Sequence, residues 1–339
     1  MDIGIFDHCD RRDVPLDEFY ESRLRLLEKY DAAGFAAYHL AEHHFTPLGL
    51  APAPGIFLAA AAQRTRRIRL GPCVYCLPLY NPLRLIEEIC MLDQLSRGRF
   101  DLGVGRGIVP YEVAYFGLHH LETEEIYQEA LQVIVQGLTT DVVDHRGPHF
   151  TYRKVPMVLK PFQRPHPPLW YGIGTVSGAE WCATNKVHVI TNGPSQVAKP
   201  LFDRYRDVWQ RKHGTAPMPK LGVSRHVVVA PTDAEAEKIA RPNYAVWYAS
   251  LTKLWRDFNA IPARFAPDFD EARKRGLAFV GTPGRVREEI ERDVAASRNT
   301  YFSCRIMFGN MTEAEVAASI DLFTAEVMPH LRALTPPEA

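Results

Sequence analysis

The stretch RIRLGPCVYCLPLYNPLRLIEEICMLDQLSRGRFDLGVG, residues 67–105, decides the fold. Its first ten residues are rich in strand formers, and residues 99–105 form a second short apolar run. Between them, residues 82–96 have apolar side chains at helical spacing, with Pro82 in the first turn and Gly98 beyond the end. A strand, a helix and a strand in this order predict a βαβ unit with parallel strands.

The same alternation continues along the whole chain. Strands are predicted at 2–6, 35–40, 67–76, 99–105, 167–174, 187–191, 222–230 and 301–308, and helices at 16–34, 56–65, 82–96, 123–138, 177–185 and 195–212, with three more that begin at Thr232, Thr282 and Thr312. Eight strands, each followed by a helix, predict an α/β fold with a parallel sheet closed into a (β/α)8 TIM barrel. We expect one domain over residues 1–335. A doubly wound open sheet is the alternative, but the first turn, FDHCDRRD, has no glycine.

Two segments interrupt the alternation. Residues 141–155 are predicted to form a β-hairpin, within an excursion from the barrel over 141–160. Residues 251–279 form a long irregular insertion, which we interpret as an active-site lid rather than a surface loop. Aromatic residues in or just before it either line an apolar substrate pocket or pack a helix onto the barrel: Tyr244, Trp247, Tyr248, Trp255 and Phe258.

Composition excludes several classes of protein. The 339 residues include 40 basic and 40 acidic side chains, so no net positive field attracts nucleic acid or anionic lipid. No apolar run is long enough to span a bilayer, and the N-terminus lacks the apolar core of a secretory signal, which favours a cytoplasmic protein. Cys73 and Cys76 form a lone CxxC, but residues three apart on a strand point to opposite faces, so we predict no metal site there.

Chemically useful residues follow three of the predicted strands. Glu42 and His43 come after the second strand, where the carboxylate is placed to orient an imidazole that exchanges protons. Gly105, Arg106 and Gly107 end the fourth strand, and Gly174–Gly178 lead from the fifth strand into a helix. Because glycines admit a flat ligand and both an arginine and a helix N-terminus favour anions, these two loops predict a phosphate site. Ser177 and Glu180 have the spacing of a capping box for that helix.

Longer motifs resemble one family. AEHHFTPLGL (41–50), the run from Leu70 to Gly107 and especially LDQLS (92–96), VGTPGRVREEIERDVAA (280–296) and LFTAEVMPHLR (322–332) are similar to the luciferase-like flavin-dependent monooxygenases, including the luciferase α subunit. The resemblance covers nearly the whole chain. It implies a TIM barrel with a mobile lid that binds reduced FMN.

The resemblance also assigns roles to residues. It implies that His43 is the catalytic histidine, that Cys73–Val74 is a non-prolyl cis peptide beneath the flavin ring, and that Arg106 with Thr175, Val176, Ser177 and Gly178 holds the phosphate. Two positions depart from luciferase, which has a reactive cysteine in place of Gly105 and a glutamate in place of Gly174. We therefore do not carry over light emission or the luciferase substrate.

The resulting hypothesis is a two-component monooxygenase. A separate reductase would transiently supply reduced FMN, and oxygen would then oxidise a small, apolar organic substrate. One alternative within the family is a deazaflavin-dependent enzyme that transfers hydride without oxygen, and a second is a non-catalytic flavin-binding accessory subunit. The resemblance also implies a homodimer or related heterodimer, in which apolar residues of 56–63 and 83–92 serve either the interface or the core.

Overall fold

Ten strands of one parallel sheet surround a central axis. The computed structural model describes residues 1–334, so the predicted domain of 1–335 ends one residue outside the described part of the chain. In chain order the barrel strands are β1 (Asp2–Asp7), β2 (Ala37–Leu40), β3 (Arg69–Pro72), β4 (Tyr75–Cys76), β5 (Leu102–Gly105), β8 (Leu169–Gly172), β9 (His188–Thr191), β10 (Leu221–Val229), β11 (Ala278–Gly281) and β12 (Tyr301–Arg305), while β6 (Val142–Arg146) and β7 (Thr151–Pro156) lie outside it. The predicted α/β barrel is confirmed.

The order of hydrogen-bonded neighbours closes the barrel. It runs β3-β2-β1-β12-β10-β9-β8-β5-β4, and a parallel bridge between Leu70 of β3 and Phe100 brings the two ends together. Strands β3 and β4 are successive pieces of the single strand predicted at 67–76. The peptide bond between them, Cys73–Val74, is cis, as the resemblance implied.

Helices cover the outside of the barrel. They are α1 (Leu16–Ala33), α2 (Pro54–Arg64), α3 (Pro82–Leu95), α4 (Pro110–Tyr115), α5 (Thr123–Thr139), α6 (Val176–Thr184), α7 (Ser195–His213), α8 (Asp233–Leu251), α9 (Lys253–Asp257), α10 (Phe269–Lys274), α11 (Pro283–Ser297), α12 (Glu313–Leu322) and α13 (Met328–Ala333). The predicted caps at Thr232, Thr282 and Thr312 are confirmed, and Gly34 ends α1 in the left-handed conformation.

The predicted cap of α6 was wrong. Thr175, not Ser177, is the N-cap, because its hydroxyl accepts a hydrogen bond from the Gly178 N–H at 3.1 Å. Ser177 therefore lies inside the first turn, and Glu180 instead forms an ion pair with Arg204.

The insertion after α8 is more regular than predicted. It contains α9 and α10, and its last two residues, Ala278 and Phe279, already belong to β11. Strand β11 pairs with the second half of β10, from His226 to Val229, while the first half of β10 pairs with β9. The sequence prediction missed β11 because a four-residue apolar run is too short to identify a strand by periodicity.

The hairpin formed by β6 and β7 is antiparallel and forms a two-stranded sheet of its own, separate from the barrel sheet. Nε2 of its histidine, His145, donates a hydrogen bond of 2.9 Å to Oε1 of Glu129 in α5, which anchors the hairpin to a helix. Of the helices within residues 1–334, none is long and apolar enough to cross a membrane.

Side chains that point inward fill the lower part of the barrel. Trp170, Tyr301, Phe6, Ile190 and Cys73 are buried in one cluster that is separate from the larger core between strands and helices. At Gly4 the packing leaves no room for a side chain, since a Cβ there would lie 2.8 Å from the carbonyl oxygen of Ala37 and closer still to the hydroxyl of Tyr301. The interior of the barrel is therefore filled by side chains, and in barrels of this kind a ligand binds at the mouth, at the C-terminal ends of the strands.

Candidate active site

A buried histidine–glutamate pair lies at the mouth of the barrel. His43, three residues beyond β2, makes a 3.0 Å hydrogen bond through Nδ1 to Oε1 of Glu112 in α4. Both side chains are buried. Burial lowers the pKa of His43, but the charge of Glu112 and its hydrogen bond raise it, and the net pKa lies above the usual value. The pair therefore holds a proton on the ring and fixes its orientation.

Glu42 does not orient His43, contrary to the sequence hypothesis. Its carboxylate bonds the neighbouring ring, Nε2 of His44, at 2.9 Å, and accepts further bonds from the Tyr80 hydroxyl and the Cys76 N–H. Burial raises the pKa of Glu42, and these donors only partly offset the effect. Glu42 thus ties the segment after β2 to β4. It does not reach His43, because adjacent residues at a strand end point in different directions.

The sequence hypothesis missed Glu112. It is 69 positions from His43 along the chain, and α4 was not predicted. The available signal was a single carboxylate, flanked by apolar residues in VPYEVAY (109–115), in a loop after a barrel strand. Buried carboxylates in such loops are seldom without a polar partner.

Two further rings extend the site across the mouth. The imidazole of His8, just beyond β1, stacks on His43 with ring centroids 5.8 Å apart. On its other side, Nε1 of Trp247 donates to Nδ1 of His8 at 3.4 Å. Burial, together with the charge of Arg305, lowers the pKa of His8 well below its usual value, so this ring is neutral. Of the aromatic residues assigned to the lid, Trp247 therefore lies at the mouth.

One side of the mouth is lined by glycines. A Cβ added to Gly172 or Gly174 would meet no atom within 4 Å, so open space adjoins the end of β8. At Gly105 of β5, in contrast, a Cβ would collide with the side chain of Val74. The Cys73–Val74 segment, with the Val74 side chain against Gly105, and the open space at Gly172 and Gly174 thus form one wall of the mouth, which suits a flat ligand.

Arg106 and the start of α6 lie at the outer edge of this wall. The guanidinium is half exposed and lies 3.5 Å from Glu124. The two loops follow neighbouring strands, since Val104 of β5 pairs with Tyr171 of β8, and the ring of Tyr171 lies 4.0 Å from the Cβ position of Gly178. The structure therefore brings Arg106 to the same side of the barrel as Thr175, Val176 and Ser177, where the first N–H groups of a helix are free to bind an anion.

The insertion packs against the loop that carries Glu112. Trp255 is buried, and the centroid of its ring lies 5.4 Å from that of Tyr111. Phe258 stacks on the same tyrosine, with the two ring centroids 4.0 Å apart. Tyr248 is partly buried against the main core. The described residues contain no group of three or more His, Cys, Asp or Glu side chains arranged to hold a metal ion.

Relatives of known sequence support one family. Residues 1–299 match the model of the luciferase-like monooxygenases. The uncharacterized protein y4wF of Sinorhizobium fredii is 39% identical over 91% of this chain and 91% of its own length. Limonene 1,2-monooxygenase of Rhodococcus erythropolis is 28% identical over 97% of this chain and 86% of its own length.

Solved structures agree with this assignment. Monooxygenase RslO1 from Streptomyces bottropensis has a TM-score of 0.88 at 27% identity, covering 98% of this chain and 100% of its own. Two structures share the fold at lower identity. The oxygenating constituent of 3,6-diketocamphane monooxygenase from Pseudomonas putida, in complex with FMN, has a TM-score of 0.83 at 19% identity, covering 100% of this chain and 99% of its own. An F420-dependent secondary alcohol dehydrogenase has a TM-score of 0.71 at 21% identity, covering 98% of this chain and 99% of its own. The chain belongs to the luciferase-like monooxygenase family and is an oxidoreductase of that family.

Proposed function

We propose that this protein is a monooxygenase that uses reduced FMN and oxygen to oxidise a small organic substrate. The observation that carries the proposal is the buried His43–Glu112 pair at the mouth, together with the open space beside Gly172 and Gly174. The family contains both flavin- and F420-dependent enzymes, so the flavin and the oxygen are the parts that need a test.

The residues fit the shape and charge of FMN. The open space beside Gly172 and Gly174 would receive the planar ring near Cys73 and Val74. Arg106 and the N–H groups of Val176 and Ser177 would hold the phosphate, since a guanidinium and a helix N-terminus both favour an anion. Gly105 leaves room for the side chain of Val74, which would lie against the ring, and Gly107 adopts a positive φ of 81° in the loop that carries Arg106. When bound, reduced FMN supplies the electrons that activate oxygen.

His43 would move the proton. Its Nδ1 is occupied by the bond to Glu112, which leaves Nε2 as the nitrogen that exchanges a proton with a ligand. Because Glu112 stabilises the charged ring, His43 is a proton donor that stays charged to higher pH than a free histidine. His44 is unsuited to the same task, since its Nε2 bonds Glu42.

The insertion would exclude water from the site. Trp255 and Phe258 cover the loop after β5 through Tyr111, and Trp247 reaches the mouth itself. Water exclusion matters because it prevents side reactions of reactive intermediates with solvent. We keep the lid interpretation for residues 251–277, before β11, with Tyr248 at its base.

A separate reductase that supplies reduced FMN, and a dimer, belong to the same proposal. Ile56 of α2 and Met91 and Leu95 of α3 are exposed apolar residues on neighbouring helices, and they are the surface we expect a dimer to bury.

Anaerobic titration separates FMN from a deazaflavin. We expect reduced FMN to bind more tightly than reduced F420, and its oxidation by added oxygen to be coupled to oxidation of an organic substrate. Arg106→Met should weaken FMN binding by about tenfold or more, since it removes a charge-assisted contact. Riboflavin, which lacks the phosphate, is the matched control and should bind both proteins equally. Tighter binding of F420, with hydride transfer that needs no oxygen, would favour the deazaflavin enzyme instead.

A further inference from the structure

Arg305 is a buried cation without an acidic partner. It is the last residue of β12, and 6% of its surface is exposed. Within residues 1–334 no carboxylate forms an ion pair with it, and its Nε has no hydrogen-bond partner. Among the described residues, the one hydrogen bond of its side chain runs from Nη2 to the side-chain oxygen of Asn192, beyond β9. An arginine buried in this way is costly for the fold unless a ligand supplies the missing negative charge.

The surroundings of Arg305 are aromatic rather than acidic. Its guanidinium lies 5.0 Å from the ring centroid of Phe6 and 5.9 Å from that of Trp247. Burial, together with the charge of Arg225, lowers the pKa of Arg305 to about 9, and Tyr244 and Cys73 oppose the shift. The side chain therefore remains charged at neutral pH, with two ring faces beside it and no anion.

A second unpartnered group lies next to it. His226 of β10 is the register partner of Arg305 on the adjacent strand, and it is 2% exposed. Neither of its ring nitrogens has a hydrogen-bond partner in the described part of the chain. Burial and the charge of Arg305 lower the pKa of His226 well below its usual value, so the ring is neutral and able to donate one hydrogen bond.

These groups lie across the mouth from the wall of glycines. Around the barrel, β12 and β10 are on the opposite side from β5, which carries Gly105 and Arg106. His8 joins the two sides, since it contacts His43 on one face and Trp247 on the other. A molecule bound at Arg305 would thus face both His43 and the space proposed for FMN.

The geometry points to Arg305, with Asn192 and His226, as a subsite for an organic oxyanion, a carboxylate or phenolate on a planar apolar body. The forked guanidinium suits such an oxygen group, and Phe6 and Trp247 suit a planar body. The inference rests on the proposed function in that the anion would belong to the substrate. It changes the expected substrate class from a purely apolar molecule to an amphiphilic one.

Binding of small probes to the full-length protein tests this subsite without turnover. We expect benzoate to bind the wild type about tenfold or more tightly than benzyl alcohol, as measured by calorimetry or ligand-observed NMR. Bound 4-nitrophenol should show the absorbance of its anion, which distinguishes a phenolate site from a carboxylate site. Arg305→Met should abolish the preference for the anion, Arg305→Lys should keep part of it, and the exposed Arg84→Met should leave it unchanged. Equal binding of benzoate and benzyl alcohol by the wild type would overturn the inference.

Two more measurements exclude other roles for the arginine. If Arg305 served only the fold, Arg305→Met would lower Tm, whereas a cation kept for a ligand predicts no loss of Tm. If it served the cofactor, Arg305→Met would weaken the binding of reduced FMN by about tenfold and leave the binding of benzoate unchanged. We expect the reverse, weaker binding of benzoate and unchanged binding of reduced FMN. Failure of the wild type to bind reduced FMN would refute the monooxygenase proposal, but the preference for benzoate would still be measurable.

Discussion

Replacing Glu112 by glutamine tests the centre of the site most directly. Glutamine keeps the shape and can still accept the hydrogen bond from Nδ1 of His43, but it removes the negative charge. A hydrogen bond to a charged group contributes about 1.5–3 kcal/mol and a neutral one about 0.5–1.5 kcal/mol. The variant should therefore lose about 1–2 kcal/mol of the stabilisation that the protonated ring now receives. This loss corresponds to a factor of roughly 5–30 in the equilibrium constant.

The sign of the effect follows from the raised pKa of His43. A raised pKa means that the pair stabilises the fold below the unfolded-state pKa of histidine, about 6.5, and that this contribution is lost as the pH rises through the folded-state pKa. Unfolding entropy of about 2.1 cal/mol/K per residue, over 339 residues, converts the loss into a Tm lower by roughly 1.5–3 °C. Glu112→Gln should show this deficit at about pH 5.5 and little of it at about pH 9.

Two measurements check the reasoning. Thermal unfolding at both pH values gives the difference in Tm, and NMR titration of labelled histidines gives the midpoint for His43, which should fall in Glu112→Gln. The matched control is Glu129→Gln, which breaks a similar pair with His145 in the hairpin, 2.9 Å apart, and should leave the His43 midpoint unchanged. An unchanged or higher midpoint in Glu112→Gln, or an equal loss of Tm at both pH values, would refute the role given to Glu112.

Two other predictions concern catalysis and packing. His43→Ala should keep its affinity for reduced FMN and lose about a hundredfold or more in substrate oxidation, while His44→Ala should change oxidation far less; equal losses in both variants would remove His43 from its proposed role. Gly4→Ala should destabilise the protein by about 1–3 kcal/mol or more through overpacking against Tyr301 and Ala37, whereas Gly172→Ala, which faces open space, should leave the Tm of the flavin-free protein unchanged; equal Tm values for the two would contradict the packing described.

Features that depend on neighbouring residues were predictable from the sequence. The caps at Thr232, Thr282 and Thr312 were predicted because a threonine side chain bonds an N–H only three residues away. The barrel followed from the repeated alternation of strands and helices, which restricts the possible topologies. The resemblance added the Cys73–Val74 cis peptide, which no local pattern signals.

Features that depend on distant residues were not predictable. The partner of His43 is decided by how α4 folds over the end of β2, and a sequence offers Glu42 as the nearer acid. The arginine at position 305 looks like an ordinary strand residue until burial and the absence of an acidic neighbour within residues 1–334 are known. Both cases require three-dimensional positions, which periodicity does not supply.

Strand β10 has a consequence for how this enzyme is able to diversify. The chain leaves the sheet after Val229 and re-enters it at Ala278, where β11 pairs with the second half of β10, His226 with Ala278 and Val229 with Gly281. The intervening segment contains α8, which packs against the barrel, and then the insertion up to residue 277, which lies outside the sheet. Extra length in a loop adds little closure entropy. Evolution or design can therefore change the length and sequence of the insertion after α8 to admit new molecules, while the barrel strands stay unchanged.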